Sequence, residues 1–141
     1  LPKAHSLMIY TGKQYIRWDD IDAFGHVNNA KYLTYIQEAR FQWSFYQYAS
    51  QNEQPTLVEM VVARAEVDFI APIYRGDFYL DIEIWVNKIG TSSFGVTYEM
   101  KNGSELVAVV KSVQVTVSME TKKSRPLNDA ERDFLNKYLE S

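Results

Sequence analysis

Asp22 is followed within seven residues by Gly25, His26, Asn28 and Asn29, in the run Asp22-Ala23-Phe24-Gly25-His26-Val27-Asn28-Asn29. The chain has no cysteine and two histidines, so acid–base or nucleophilic chemistry falls to carboxylates or hydroxyls. Asp22 stands out among them by position. It ends a strand-like segment, and a helical pattern opens a few residues later at Asn28 or Asn29. The unpaired N–H groups of a helix start favour developing negative charge and can polarise a carbonyl. One short segment can thus supply both a carboxylate and an oxyanion site.

Each neighbour also has a plainer use. Asp19, Asp20 and Asp22 read equally as solvated turn carboxylates. Extended alternation would put Asp20 and Asp22 on one face with Asp19 turned away, making Asp20 the candidate modulator of Asp22 through like-charge repulsion. His26 is a candidate general acid, or a loop histidine that only hydrogen-bonds. Asn28 and Asn29 can donate to a carbonyl oxygen or orient a water, while one of them caps the helix. Ser92 and Ser93 have no nearby base to activate a hydroxyl. Glu66 and Asp68 read as an exposed face or an interface rim.

The elements that must position these residues follow from patterning. Gln14-Tyr15-Ile16-Arg17-Trp18 predicts a short strand. Tyr32, Ile36, Ala39, Trp43 and Tyr46 recur at spacings of three and four, predicting one helix of about 18 residues. Residues 51–56, with Pro55, break it. A strand starts near Leu57, with Ala63, Ala65, Val67 and Phe69 on the covered face. Strands are also predicted from Phe78 to Val86, from Phe94 to Met100 and from Leu106 to Val117, with Asn102-Gly103 marking a hairpin. Asn128 and Glu131 have capping-box spacing and open a short tail helix at about 127–140. The order predicts an α+β fold, a meander of antiparallel strands packed against one long helix.

At 141 residues the chain suits one domain, expected to span 1–141. Hydrophobic residues make up 46% and charged residues 23%, which excludes a disordered or collagen-like class. The net charge is −3, and the longest basic cluster is the pair Lys122-Lys123, so the footprint of a nucleic-acid binder is missing. No apolar run is long enough to span a bilayer, and residues 1–6 lack the apolar stretch of a signal peptide. The cytoplasm is the expected compartment.

Residues 17–32, from Arg17-Trp18-Asp19-Asp20 through Asp22 to Lys31-Tyr32, resemble the signature of the 4-hydroxybenzoyl-CoA thioesterase-like branch of the hot-dog superfamily. Its pattern is Asp-x-x-Gly-x-Val followed by a helix with an early Tyr. Phe69-Ile70-Ala71-Pro72, Arg75-Gly76-Asp77, Ile89-Gly90-Thr91-Ser92-Ser93 and Val113-Gln114-Val115-Thr116-Val117 look like its later strands and turns, so the resemblance extends to about Pro126. It implies a hot-dog fold, a curved antiparallel sheet wrapped around one helix, and hydrolysis of an acyl-CoA or acyl-carrier-protein thioester. Asp22 then matches the family's catalytic carboxylate, as nucleophile or general base, Gly25 its loop glycine and Tyr32 its early helix tyrosine; His26, Asn28 and Asn29 join Gly25 and Tyr32 as the candidates for substrate contact. Asn28-Asn29 stands where some members carry an aromatic pair, which looks more like the acyl-CoA than the aryl-CoA relatives. The family also implies a homodimer or homotetramer with a pocket shared between subunits, and no metal or organic cofactor. Two alternatives remain: a catalytically silent acyl-CoA sensor or carrier, and a hot-dog hydratase. The hydratase run Asp-x-Asn-Pro-x-His is not matched by Asp22-Ala23-Phe24-Gly25-His26.

Overall fold

The alternation from Phe78 onward forms a strand in the computed structural model, which describes residues 8–47, 57 and 59–140. Five strands make one antiparallel sheet: β1 (Tyr10–Ile16), β2 (Met60–Phe69), β3 (Phe78–Ile89), β4 (Ser93–Asn102) and β5 (Glu105–Thr116). Their spatial order is β1-β3-β4-β5-β2. Only β3, β4 and β5 form a meander. β2 crosses to the far edge and pairs with β5, contrary to the expected run of four consecutive neighbours. The first strand also differs from expectation, running from Tyr10 to Ile16 instead of Gln14 to Trp18. Arg17 precedes a 3-10 turn at Trp18–Asp20 that ends the extended backbone.

The long helix begins as α1 (Asn29–Phe41) and continues as a π-helical segment, Gln42–Gln47. Tyr32, Ile36, Ala39 and Trp43 are buried, as their spacing predicts; the Tyr46 side chain and the break at 51–56 lie outside the described residues. The helix packs into one core with inward residues of the sheet, among them Leu80, Ile82, Ile84, Tyr98, Met100 and Val110. This is the hot-dog arrangement, a curved five-stranded sheet around one long helix.

A second helix, α2 (Asp129–Lys137), opens with the predicted capping box: the Glu131 N–H donates to Asn128 Oδ1 and the Asn128 N–H to Glu131 Oε1. Glu131 is fully buried and takes two hydrogen bonds from the Arg125 guanidinium, each 2.9 Å. Phe134 and Tyr138 close over Trp43, with ring centroids 5.4 Å from it in both cases. The tail thereby seals the end of the helix distant from Asn29.

β2 departs from its expected burial. Val61, Val62 and Phe69 are about half exposed, and residues on both faces are open from Val61 to Glu66. A register shift between Val62 and Arg64 interrupts its pairing with β5. Alternation along the strand is present in the sequence, but among the described residues only Met60 and Val67 pack against the core, and neither face is covered from Val61 to Glu66.

Candidate active site

The residues from Ile21 to Val27 form a closed loop. Ile21 and Val27 bridge antiparallel, the Asp22 N–H donates to the His26 carbonyl at 3.0 Å, and the Gly25 N–H donates to the Asp22 carbonyl at 3.0 Å. Gly25 sits at φ +87°, a conformation that side-chain-bearing residues rarely adopt, with nothing within 4 Å of where a Cβ would lie. A substitution there meets backbone strain, not a clash. Asp22 Oδ1 accepts the Phe24 N–H at 2.8 Å. That bond orients the carboxylate and leaves its other oxygen without a partner among the described residues. The half-buried carboxylate is therefore fixed at the mouth of a tight turn.

The loop is tied to the helix start. Its last residue, Val27, donates to the Ile73 carbonyl at 2.8 Å, and the Asn28 N–H donates to the Asp20 carbonyl at 3.2 Å. Asn28 is the N-cap, its Oδ1 accepting the Ala30 N–H at 2.9 Å. The Lys31 N–H donates to the Asn28 carbonyl at 2.9 Å. Of the N–H groups of Asn29, Ala30 and Lys31, that of Asn29 has no partner among the described residues. An orphan donor at the positive end of a helix dipole can hold an oxyanion. The sequence places such donors near Asn28 to Ala30; the cap engages the Ala30 N–H and leaves that of Asn29.

His26 lies half-buried, its Nδ1 3.4 Å from the Val27 carbonyl, too long to fix the ring strongly. With Asn29 and Tyr32 it borders an open depression of about 300 Å³ whose other wall is Phe69, Ile70, Ala71 and Pro72. Tyr32 is buried and meets Phe69 edge-to-face at 5.0 Å. Gly25, His26, Asn28, Asn29 and Tyr32 are thus all on or beside the loop that carries Asp22. The wall at the end of β2 gives no site signal in the sequence, because its residues are apolar and carry no chemistry of their own.

Asp20 takes a different role from the expected modulator. Only 4% exposed, it accepts the Tyr35 hydroxyl at 2.7 Å and the Arg17 N–H at 3.1 Å, with Lys31 Nζ at 3.6 Å. Burial works to raise its pKa, but the Tyr35 hydroxyl, the Arg17 amide and the Lys31 and Arg17 charges together outweigh it, holding the carboxyl below its ordinary value. Asp22 is not among these groups. Burial, then the bond to Asp20, pushes the Tyr35 hydroxyl far up. Extended alternation does not apply, since Asp20 lies in the 3-10 turn and points under the helix. Asp20 instead fastens the approach of the loop to α1.

A depressed carboxyl contributes stability that is complete above the unfolded-state value, near 3.8, and is lost as pH falls through the folded-state value. Asp20→Asn is expected to lower unfolding stability by about 2 kcal/mol at about pH 6. In urea melts the gap to the wild type should narrow as pH falls below about 4 and close once pH has passed below the folded-state value. A gap independent of pH would mean that the charge of Asp20 is not what holds the loop.

Comparison with known proteins agrees with this architecture. The Thioesterase-like superfamily profile matches residues 16–135. A Nostoc punctiforme protein named 1,4-dihydroxy-2-naphthoyl-CoA hydrolase is 30% identical over 124 residues, covering 84% of this chain and 82% of that protein. A Thermus thermophilus thioesterase solved with coenzyme A and zinc superimposes with a TM-score of 0.76 at 29% identity, over 90% of this chain and 92% of that one. A predicted thioesterase from Bacillus stearothermophilus shares the fold, with a TM-score of 0.81 at 22% identity over 94% and 97% of the two chains. With the family match spanning loop, helix and sheet together, the chain belongs to the thioesterase-like superfamily and is a thioester hydrolase of hot-dog fold.

Proposed function

We propose that the protein hydrolyses acyl-CoA or acyl-carrier-protein thioesters in the cytoplasm, with Asp22 acting on the thioester carbon. The observation that carries this reading is the pairing of an oriented carboxylate with the unengaged Asn29 N–H, on one loop-to-helix segment. Asp22 attacks the carbonyl directly or draws a proton from the attacking water. The developing oxyanion is held by the Asn29 N–H. After direct attack the C–S bond breaks, the thiolate takes a proton from solvent, and water cleaves the resulting Asp22–acyl anhydride; in the general-base route the proton that Asp22 drew from water passes to the leaving thiolate. Gly25 shapes the turn, Asn28 holds the helix start in place, and His26, Asn29 and Tyr32 line the approach to it.

Within the superfamily, the Asp22 motif favours the 4-hydroxybenzoyl-CoA thioesterase-like branch. The name of the Nostoc relative supports an aryl-CoA, while Asn28-Asn29 favours an acyl chain. Free-thiol release over a panel of both kinds tests the function. Absence of release from every member, together with tight acyl-CoA binding, would replace this reading by that of a sensor or carrier. Single turnover in heavy-oxygen water separates the two roles of Asp22, because direct attack leaves label in its carboxylate.

His26 makes no orienting bond to a carboxylate among the described residues. His26→Ala is accordingly expected to lose about tenfold at most in kcat, far less than loss of Asp22. An equal loss would make His26 a partner in proton transfer.

The proposed protomer works as a homodimer, itself able to pair into a tetramer. The support is β2, an edge strand of ten residues with apolar side chains open on both faces.

A further inference from the structure

Arg40, near the end of α1, is a charge without a counter-charge among the described residues. It is 9% exposed, and guanidinium stays protonated in proteins. Among the described residues it makes one hydrogen bond, from Nη1 to the Tyr98 hydroxyl at 3.0 Å, and no ion pair. Tyr98 is bonded onward to Ser112 at 2.8 Å, so the polar chain continues into neutral groups. Buried charges are ordinarily paired, and a guanidinium has five N–H donors to place. Arg40 lines a hollow of about 600 Å³ between α1 and the start of β2, where Phe41, Met60 and Val62 form apolar walls. Gln37, Glu38 and Gln42 also line it, so the hollow combines apolar walls with polar groups and, in Arg40, a cationic donor whose other N–H groups have no partner among the described residues.

This hollow lies at one end of β2 and the depression beside Asp22's loop lies at the other, next to Phe69. Two copies paired along β2 by a two-fold axis run antiparallel, so the start of one strand faces the end of the other. A two-fold through Ala65 would set Arg64 of each copy opposite Glu66 of the other, where the ion pair these residues make within one copy can be exchanged across the seam.

Building on the catalytic reading of Asp22 and on the shared pocket that the family resemblance implies, we propose that Arg40 of the partner copy is the specificity-determining residue of that pocket, its hollow receiving the far end of the acyl group and its guanidinium binding an oxygen there. The substrate class is a thioester whose acyl group ends in an oxygen acceptor, either a carboxylate or a phenolic oxygen. Charge-assisted bonds from Arg to such an oxygen are strong and directional.

Matched pairs of thioesters test this: glutaryl- against pentanoyl-CoA, adipoyl- against hexanoyl-CoA, and 4-hydroxybenzoyl- against benzoyl-CoA. The wild type is expected to favour the oxygen-bearing member of at least one pair by about tenfold or more in kcat/KM. Which pair responds separates a carboxylate from a phenol. Arg40→Met should bring that ratio towards one, and Arg40→Lys should restore part of it. No preference in any pair for the wild type overturns the proposal without recourse to a variant, as does an equal fall for both members in a folded Arg40→Met. Weakened binding of coenzyme A alone would assign Arg40 to the nucleotide and also overturn it.

Mixing Asp22→Asn with Arg40→Met protomers tests the sharing between copies. A mixed dimer contains one site with both Asp22 and Arg40, so activity on the preferred substrate should return towards half that of the wild type per mixed dimer. No return would place Arg40 in the same copy's site. If no thioester is cleaved at all, the catalytic reading fails. Equilibrium binding of the same matched pairs to the intact protein then decides the Arg40 proposal separately.

Discussion

Asp22→Asn is expected to lower thioester turnover by about a thousandfold while leaving the fold and substrate affinity nearly unchanged. The substitution isolates the charge. An asparagine oxygen can still accept the Phe24 N–H that Asp22 Oδ1 takes at 2.8 Å, so the turn from Asp22 to His26 keeps its geometry. What is lost is the anion that attacks the carbonyl or accepts a proton from water. Asp22→Ala removes the turn bond as well, and should add a stability loss of about 1 kcal/mol to a similar loss of turnover. Comparing kcat and KM for the two variants, with thermal melts beside them, separates chemistry from loop collapse. Turnover unchanged in Asp22→Asn would remove the carboxylate from the reaction and leave the thioesterase activity to be carried elsewhere in the pocket.

How far the site was legible depended on whether its chemistry was local in the chain. The capping box at Asn128 and Glu131 and the N-cap at Asn28 involve neighbours in sequence, and both form as their spacing predicts. Gly25 marks a turn because few other residues tolerate its φ. Asp20 was misplaced for a related reason. Alternation does not run through Arg17-Trp18-Asp19-Asp20, because those residues leave the strand, and the hydrogen-bond partner over Asp20 is Tyr35, fifteen positions away.

Arg40 illustrates the limit of periodicity. A charged residue beside an apolar stripe reads as solvent-facing, and only the sheet, through Tyr98 and Ser112, shows that this one is inside. β2 shows the complementary case. Its alternation predicts a covered face, yet cover depends on what lies beyond the strand edge. Sequence order likewise suggested that β2 would pair with β3, whereas the connection through residues 70–77 carries the chain to the opposite side of the meander. That crossing puts the exposed strand next to both hollows, so the part of the fold least visible in sequence frames the proposed pocket.

Asn29→Pro should separate the oxyanion donor from everything else at the helix start. Proline is well tolerated at the first helical position, where its missing N–H has no intrahelical acceptor. Its ring also requires an extended preceding residue, and Asn28 already lies at φ −61°, ψ 136°. The cap survives because Asn28 bonds the Ala30 N–H, not that of Asn29. Stability should therefore change by less than about 1 kcal/mol. Turnover should fall by about a hundredfold or more, the usual consequence of removing one oxyanion donor, or about 3 kcal/mol in the barrier. Asn29→Ala is the necessary control, since it removes the side chain and keeps the N–H; only a few-fold loss is expected of it. If Ala and Pro fall together, the Asn29 amide side chain is what touches substrate. If neither falls, the helix start does not hold the oxygen, and a second N–H or the partner copy must do so. The proline result thus tests the half of the mechanism that belongs to the backbone, which no side-chain substitution at Asp22 or His26 can reach.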